Sequence, residues 1–373
     1  MKEKVLVTGG AGFVGSHLVD ALAKKGYTVR ILDNLDPQVH GVSGKKPAYL
    51  NKDCQFLKGD VRDARTLKKA MQGVDVIFHL AAAVGVGQSM YQIKKYIEVN
   101  TVGTALLLDL LVNTKNRVRK LIVASSMSIY GEGAYKCKNC GLVYPHLRPQ
   151  DQLKQRRWEM FCPDCLRQTL AVPTSEDKVL YPTSIYAISK RDQEEQCLVT
   201  GRSYKIPTVA LRYFNIYGSR QSLSNPYTGV CAIFSSRIKN NHPPLVYEDG
   251  LQARDFIHVN DIIQANLLAL TDKEADYQAL NVGTGRPSSI FEIACILIKL
   301  YDSDVSPKVV NRYRIGDIRH CYADISRIKK LGFSPKVSPE EGFRELIEWG
   351  KREKAQDRIV KASWELKSRG LTI

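Results

Sequence analysis

The fold of this chain is predicted by one short stretch, KVLVTGGAGFVG at residues 4–15. Its first five residues are typical of an apolar strand, and the glycines after them indicate a tight turn and a helix that begins near Gly12. Because Gly9 and Gly12 carry no side chain, backbone N–H groups of the turn can approach a pyrophosphate at the positive end of that helix. Gly15 allows the helix to pack closely on the strand. The stretch indicates a dinucleotide-binding turn; a glycine turn that only connects a strand and a helix is the alternative.

An acidic residue ends the second predicted strand, Thr28–Leu32. This residue, Asp33, lies 18 residues after Gly15, where a carboxylate can accept hydrogen bonds from the adenosine ribose hydroxyls and repel a 2′-phosphate. NAD is therefore favoured over NADP. Together with the strands and helices that follow, these features predict an α/β fold with a doubly wound parallel Rossmann sheet.

Length, composition and charge limit the class of protein. The chain has 373 residues, of which 44% are hydrophobic, so it can bury a sizeable core. The first strand pattern begins almost at the N-terminus and no apolar run reaches 18 residues, so we expect a cytoplasmic protein without a signal peptide or membrane segment. The net charge of +17 is spread along the chain without an arginine-rich arm. A dinucleotide and an anionic substrate account for much of it, and we expect no nucleic-acid partner.

Further cofactor candidates lie at the end of the third predicted strand. Asp60 and Val61 follow that strand, where a carboxylate and a backbone amide can hold an adenine ring. Asp60 could equally be the N-cap of a helix predicted over residues 61–71. The sequence leaves both interpretations open.

The fourth predicted strand, residues 74–80, opens onto small residues. After Leu80, the side chains of Ala81 and Ala82 leave space for a flat cofactor. His79 lies inside the strand pattern, so we interpret it as a core histidine with satisfied hydrogen bonds rather than a catalyst.

A serine pair and a later tyrosine–lysine pair are the candidates for catalysis. Ser126 follows the strand Lys120–Ala124, at the sheet edge where ligands bind. Tyr186 and Lys190 are four residues apart on one face of a predicted helix. An ammonium near a phenol favours the phenolate, as does a positive nicotinamide ring, so Tyr186 can serve as a base near neutral pH. This spacing also occurs by chance, but here it follows a dinucleotide motif and the serine pair.

Two C-x-x-C pairs interrupt the chain between these elements. Cys137 and Cys140 are followed, after 21 intervening residues, by Cys162 and Cys165. Four thiolates at this spacing are typical of a tetrahedral zinc site, and four protein ligands leave no open position, so the Zn²⁺ would be structural. It would fold a zinc-ribbon-like insert at residues 135–170, which is too short to bury a core of its own. A redox pair is the alternative, which the absence of a thioredoxin-like context disfavours.

These motifs together resemble the extended short-chain dehydrogenase/reductase family, specifically its nucleotide-sugar epimerases and dehydratases. The resemblance covers roughly residues 4–350 and rests on TGGAGFVG at residues 8–15, the serine with Y-x-x-x-K, and RYFNIYG at residues 212–218. It implies tightly bound NAD, a nucleotide-diphosphate sugar as substrate, and Ser126, Tyr186 and Lys190 as the catalytic residues.

The resemblance also implies binding residues. Ser126 would orient the sugar hydroxyl, and bidentate guanidinium contacts would hold the nucleotide diphosphate. The expected cofactor contacts are Gly9, Gly12, Phe13, Val14, Gly15, Asp33, Asn34, Asp60, Val61, Leu80, Ala81, Ala82, Asn100, Tyr186, Lys190 and Tyr213. The expected substrate contacts are Ser126, Asn215, Arg254 and Arg319.

Met127 and Ser128 occupy the positions at which sugar 4,6-dehydratases carry two acidic residues. Because these two side chains cannot act as acid and base, a dehydratase that eliminates water is disfavoured. The chain looks most like dTDP-L-rhamnose 4-epimerases. This resemblance implies NAD-dependent C4 epimerisation of dTDP-L-rhamnose to dTDP-6-deoxy-L-talose through a 4-keto intermediate. The alternatives are a UDP-glucose 4-epimerase, another nucleotide-sugar reductase or decarboxylase, and a non-enzymatic RNA- or partner-binding relative.

We expect three regions along the chain: an NAD-binding domain at residues 1–217, a smaller α/β substrate-binding domain at 218–350 with 250–272 returning to the first domain, and a basic C-terminal tail at 351–373 that forms a surface helix. Long helical patterns at 93–116 and 184–204 predict a homodimer interface. A further helix is predicted over 227–240, and capping boxes predict helices that begin at Ile290 and Pro339.

Overall fold

The computed structural model describes residues 3–372; residues 1, 2 and 373, the outer ends of the predicted domain ranges, lie outside it. The strands of the described chain are β1 (Lys4–Thr8), β2 (Thr28–Asp33), β3 (Gln55–Lys58), β4 (Val76–His79), β5 (Lys120–Ser126), β6 (Ala134–Cys137), β7 (Gly141–Val143), β8 (Leu170–Val172), β9 (Thr208–Tyr213), β10 (Asn215–Tyr217), β11 (Leu245–Val246), β12 (Ala253–His258), β13 (Ala279–Val282), β14 (Pro287–Ser289) and β15 (Lys308–Val309).

The helices of the described chain are α1 (Phe13–Lys24), α2 (Pro37–His40), α3 (Ala64–Met71), α4 (Val86–Ser89), α5 (Ile93–Tyr96), α6 (Gly103–Asn113), α7 (Gln150–Lys154), α8 (Ile185–Ser203), α9 (Val230–Lys239), α10 (Val259–Thr271), α11 (Ile290–Tyr301), α12 (Ser326–Lys330), α13 (Pro339–Arg352) and α14 (Ile359–Lys367). A π-helical segment, Ile97–Val102, joins α5 to α6, and short 3₁₀ turns occupy Met127–Tyr130 and Lys273–Ala275.

Seven strands form the main sheet in the order β3-β2-β1-β4-β5-β9-β13. Every neighbouring pair in it is parallel. Strand β1 pairs with β2 on one side and with β4 on the other, so the strand order reverses between β1 and β4. Ligands bind beyond the carboxyl ends of the strands at such a reversal. The predicted doubly wound parallel sheet is confirmed.

The central strands are buried on both faces of the sheet. In β1, Val5 and Val7 belong to a core that also contains Ile262 of α10. Leu6 points the other way, into a core with Leu107 of α6, because successive strand side chains alternate between faces. This double burial explains why the strands read as continuous apolar runs.

A smaller α/β unit stands beside the main sheet. Strand β12 pairs in parallel with β10 and antiparallel with β14, and α9, α11 and α13 supply a separate core around Phe234, Leu297 and Phe343. Strand β13 returns to the main sheet beyond the predicted returning segment 250–272, pairing with β9. The predicted domain boundaries otherwise remain predictions.

Helix starts follow local capping chemistry. Helices α11 and α13 begin at Ile290 and Pro339 as predicted, and Ser289 forms a reciprocal capping box with Glu292. Helix α9 begins at Val230 rather than 227, and the pattern at 93–116 ends at Asn113 and is interrupted by the π-helical segment.

The insert and the tail lie outside the two main units. Strands β7, β6 and β8 form a three-stranded antiparallel sheet around a small core that includes Tyr135, Val143 and Met160. In the tail, α14 buries Ala362 and Leu366 on one face and exposes Val360 and Trp364 on the other, as a surface helix does. Within residues 3–372, no helix is long and apolar enough to cross a membrane.

Candidate active site

One large cavity, of about 800 Å³, lies along the carboxyl ends of the main-sheet strands and continues into the smaller unit. Its volume is within the range of small-molecule sites. Nearly all predicted cofactor residues border it: Gly9, Gly12, Phe13, Val14, Gly15, Asp33, Asn34, Asp60, Val61, Leu80, Ala81, Ala82, Tyr186, Lys190 and Tyr213. The hydroxyl of Tyr213 is directed away, since it donates to Asn266 Oδ1 at 2.9 Å.

The glycine turn at one end of the cavity requires glycine for two separate reasons. Gly9 has a φ of +68°, in the left-handed region that favours glycine. A Cβ on Gly15 would lie 2.2 Å from the carbonyl oxygen of Gly9. Gly12 precedes α1 without a side-chain cap, so no side chain occupies the N–H groups of the first helical turn. This arrangement fits a pyrophosphate at the helix N-terminus.

Asp33 is held in place by the backbone around it. Its Oδ2 accepts from the N–H of Ala11 at 3.0 Å, and its Oδ1 accepts from the N–H of Leu35 at 2.9 Å. The carboxylate is 8% exposed and borders the cavity just beyond the glycine turn. Its position fits the predicted contact with an adenosine ribose.

Asp60 also borders this end of the cavity, and its interpretation as a helix cap is wrong. Helix α3 begins at Ala64 and is capped by Asp63, which accepts from the N–H of Arg65. Asp60 instead accepts from Asn34 Nδ2 at 2.9 Å and from three nitrogens of Arg62, namely the backbone N, Nε and Nη2. The Arg62 hydrogen bonds hold the pKa of Asp60 far below its usual value. Arg62 itself borders the cavity and was missed in the sequence, where nothing distinguished it from other surface arginines.

The predicted catalytic residues meet in the middle of the cavity. Strand β5 ends at Ser126, and α8 presents Tyr186 and Lys190 to the same space. Burial raises the pKa of the Tyr186 phenol, and this effect outweighs the opposite influence of the Ser126 hydroxyl. The protein alone therefore does not lower the pKa of Tyr186, contrary to the expectation from its spacing to Lys190. Ser126 Oγ also accepts from the backbone N–H of Ser128 at 3.2 Å.

Lys190 is buried and held by neutral groups. Its Nζ donates to the carbonyl oxygen of Ala124 and to Gln193 Oε1. Burial lowers its pKa to about 8, because little solvent surrounds the charge. The ammonium is thus fixed one helical turn from Tyr186 with a pKa close to the physiological range.

Two further residues support this centre from behind. Asn100 does not border the cavity: its Nδ2 donates to the carbonyl of Ala83 and to Ser189 Oγ, and its Oδ1 accepts from the N–H of Ala83 at 2.7 Å. It therefore ties the loop after β4 to α8, in place of the predicted direct contact with the cofactor. His79 is fully buried between Thr8 and Thr104, which confirms it as a core residue.

The far end of the cavity is lined by polar and cationic groups. Asn215 borders it, with a buried Oδ1 that accepts no hydrogen bond. The guanidinium of Arg254 is oriented by the carbonyl oxygens of Ile318 and Arg319, at 2.7 and 2.8 Å. Arg237 borders the cavity as well. These groups fit an anionic, hydrogen-bonding ligand.

The predicted substrate contact of Arg319 is wrong, and Arg314 lies in its place. Arg319 does not border the cavity; it is fully buried among Glu159, Glu248 and Asp249, with its shortest Glu248 contact at 3.0 Å. Arg314, five residues earlier, does border the cavity and pairs with Asp317 at 2.7 Å. Both arginines lie near the same Gly-Asp pair, so the sequence motif alone did not separate them.

The four cysteines of the insert are brought together. Their Sγ atoms all lie within 4.8 Å of one another, with Cys137 and Cys165 at 3.5 Å. Tetrahedral zinc with Zn–S bonds of about 2.3 Å places its sulfur ligands about 3.8 Å apart. The four thiols therefore have the donor type and the spacing that suit one such ion.

The insert supports the arginine-bearing segment. Trp158 packs edge-on against Tyr313, with ring centroids 6.3 Å apart. Glu159 accepts hydrogen bonds from His320 and Arg319, which hold the pKa of Glu159 at about 2. The cysteine-rich segment is thus connected to one wall of the cavity, although its cysteines lie outside the lining.

Comparison with known proteins is decisive for the family. The sequence model described as the NAD dependent epimerase/dehydratase family matches residues 5–150 and 164–283. The chain belongs to this family. The gap in the match, residues 151–163, falls within the cysteine-bearing insert and ends just after Cys162. The tail that carries α14 lies beyond the matched residues.

Three members of the family are similar over nearly their whole length. A dTDP-L-rhamnose 4-epimerase of Burkholderia thailandensis is 33% identical over 93% of this chain and 94% of its own. A putative UDP-glucose 4-epimerase of Methanocaldococcus jannaschii is 32% identical over 93% and 98%. The crystal structure of a UDP-glucuronic acid 4-epimerase from Bacillus cereus, with UDP-glucuronic acid and NAD, superposes with a TM-score of 0.76 at 28% identity, covering 94% of this chain and 99% of that one.

Proposed function

We propose that this protein is an NAD-dependent nucleotide-sugar 4-epimerase. The observation that carries the proposal is that Ser126, Tyr186 and Lys190 line the same stretch of one cavity wall. The glycine turn and Asp33 border the same cavity, as do Asn215, Arg254 and Arg314. A dinucleotide at the first group and a nucleotide diphosphate at the second would bring their reacting ends together at Tyr186.

The protein's own residues would manage the proton of the sugar's C4 hydroxyl. Ser126 Oγ orients that hydroxyl, and Tyr186 Oη accepts its proton as C4 becomes a carbonyl. The same proton returns from Tyr186 when C4 is reduced on the opposite face. Bound NAD would supply the chemistry of accepting the C4 hydride and giving it back, with no net change of the cofactor. Because burial raises the pKa of Tyr186, we expect its function as a base to require the ammonium of Lys190, one helical turn away, and the positive nicotinamide ring of bound NAD.

Elimination of water is disfavoured by the residues next to Ser126. Met127 is buried and has no ionisable group, and Ser128 Oγ donates to Ser126 Oγ at 2.9 Å. Neither can exchange the proton that a 4,6-dehydratase must remove at C5. A reaction that only inverts C4 needs no such second acid or base.

We propose dTDP-L-rhamnose as the substrate and dTDP-6-deoxy-L-talose as the product. The similarity to the Burkholderia thailandensis enzyme supports this choice. A UDP-glucose 4-epimerase is the second candidate, supported by the nearly equal identity to the Methanocaldococcus jannaschii relative.

A structural zinc ion and a homodimer belong to the same proposal. The thiol spacing supports one tetrahedral ion bound by Cys137, Cys140, Cys162 and Cys165. The homodimer is supported by apolar side chains exposed on the predicted interface helices, such as Val199, which is 60% exposed. A cytoplasmic location and the lack of a nucleic-acid partner remain predictions from the sequence.

The test is incubation of the purified protein, without added cofactor, with dTDP-L-rhamnose and separately with UDP-glucose, followed by proton NMR of the sugar. The proposal predicts conversion of dTDP-L-rhamnose to its C4 epimer without accumulation of NADH. Conversion of UDP-glucose alone would replace the substrate and keep the reaction. Net oxidation, release of carbon dioxide, or inactivity toward a wide panel of nucleotide sugars would contradict the 4-epimerase.

A further inference from the structure

Helix α14, in the C-terminal tail, turns one face toward the cavity. Ile359, Ala362, Ser363 and Leu366 border the cavity, at the i, i+3, i+4, i+7 spacing of a single helix face. Ala362 and Leu366 are 3% and 6% exposed, whereas Trp364, on the outer face, is 67% exposed. One face of α14 therefore forms part of the cavity wall, and the opposite face is exposed to solvent.

The wall lies near the reacting centre. A Cβ built on Gly87 would be 3.4 Å from Leu366 Cδ2, so Leu366 packs directly on α4. In α4, Ser89 Oγ accepts from the backbone N–H of Tyr186 at 3.0 Å. Leu366 also shares a small adjoining pocket with Ser184, two residues before Tyr186. Leu366 is thus close to the end of the cavity where a sugar would meet Tyr186.

Several contacts fix α14 in this position. Glu365 accepts hydrogen bonds from the hydroxyls of Tyr91, at 2.7 Å, and Tyr227. The guanidinium of Arg369 stacks on the ring of Tyr91 at 4.4 Å. Beyond the helix, the N–H of Ile315 donates to the carbonyl of Leu371 at 3.1 Å. Tyr227 itself borders the cavity, so these contacts set the wall directly against the lining residues.

The chemistry of the wall is apolar. The four side chains that α14 contributes carry three hydrocarbon groups and one hydroxyl, with no charge. Arg314 borders the same small pocket as Leu366, but it is paired with Asp317 and, in the proposed complex, binds the nucleotide diphosphate. A carboxylate placed against Ala362 and Leu366 would lose its hydration without a partner, and a hydroxymethyl group would lose hydrogen bonds to water. A methyl group would lose nothing.

We propose that α14 forms an apolar subsite for the C5 substituent of the sugar and selects 6-deoxy sugars, with Leu366 as its central residue. This inference rests on the proposed function, because it takes C4 of the sugar to be at Tyr186 and C5 is the adjoining ring carbon. Apolar pockets reject an added hydroxyl by about 10–100-fold. The wild-type protein is expected to prefer the 6-deoxy sugar by this factor.

The experiment compares two nucleotide sugars that differ only at C6: dTDP-L-rhamnose and dTDP-L-mannose, or UDP-6-deoxyglucose and UDP-glucose if the base is uracil. The ratio of kcat/KM values is measured for the wild type, for Leu366→Ser and for Trp364→Ser, the matched control on the exposed face. Leu366→Ser should reduce the preference to below about fivefold, while Trp364→Ser leaves it unchanged. Affinity for dTDP or UDP alone and the bound NAD content should not change in either variant.

Two outcomes would overturn the subsite: a wild type without C6 preference, or an unchanged preference in Leu366→Ser. If Leu366→Ser does not fold, Ala362→Ser decides, since it adds one polar atom to the same face. If no sugar is turned over, the 4-epimerase fails, and the Kd values of the matched pair, measured by calorimetry, still test the subsite. Equal Kd values in the wild type would refute it independently of catalysis.

Discussion

Replacement of Arg319 and Arg314 by methionine separates a structural arginine from a ligand-binding one. Arg319 is fully buried and contacts three carboxylates. Arg319→Met removes the guanidinium that Asp249 contacts and leaves Glu248 with Arg148 as its partner. Breaking a buried ion pair from one side costs about 3–5 kcal/mol of unfolding free energy. With an unfolding entropy of about 2.1 cal/mol/K per residue over 373 residues, the Tm should fall by about 4–6 °C.

Arg314→Met should leave the stability of the fold nearly unchanged and weaken ligand binding. The Arg314 side chain is 41% exposed in its pair with Asp317, and such pairs contribute only about 0–1 kcal/mol, so its Tm should change by about 1 °C or less. Loss of charged hydrogen bonds worth about 1.5–3 kcal/mol should weaken binding of a nucleoside diphosphate by about 10–100-fold. Differential scanning fluorimetry and titration calorimetry measure both effects. The assignment is refuted if Arg319→Met keeps its Tm and loses affinity while Arg314→Met keeps its affinity.

Three further predictions concern the catalytic centre and the insert. Tyr186→Phe should lower turnover by about 10²–10⁴-fold while NAD stays bound, and an unimpaired variant would remove Tyr186 as the base. Since burial lowers the pKa of Lys190 to about 8, kcat/KM should fall as the pH rises through that value and the ammonium loses its proton. Lys190→Arg should abolish this decrease at alkaline pH, and a decrease that persists in the variant would belong to another group. Chelation should release one zinc ion per chain. Because Trp158 of the insert packs on Tyr313 beside Arg314, it should also raise the KM for the nucleotide sugar by about tenfold and leave the NAD content unchanged. Native protein purified without zinc would contradict the zinc site.

The sheet and the catalytic centre were predictable because their signals are local. A strand that runs into GGAGFVG requires glycine at defined places, as the φ of Gly9 and the lack of space at Gly15 show. The four-residue spacing of Tyr186 and Lys190 fixes their common helix face. Such features depend on a few neighbouring residues, so a short segment of sequence is enough to predict them.

The errors arose where distant segments meet. Arg319 differs from Arg314 because it contacts Glu159 of the insert together with Glu248 and Asp249 of the segment between β11 and β12. The amphipathic face of α14 is visible as a pattern, but the element it covers is set by tertiary contacts. The pKa of Tyr186 depends on how much protein surrounds the phenol, which the spacing to Lys190 does not reveal.

The central claim is that C4 is inverted by removal and return of its own hydrogen. The most direct measurement is the conversion of dTDP-L-rhamnose deuterated at C4, in ordinary water and without added cofactor, followed by NMR and mass spectrometry of the product. The account predicts a C4 epimer that keeps the deuterium, with no NADH accumulated. Loss of the deuterium to water, or its retention with unchanged C4 configuration, would contradict it.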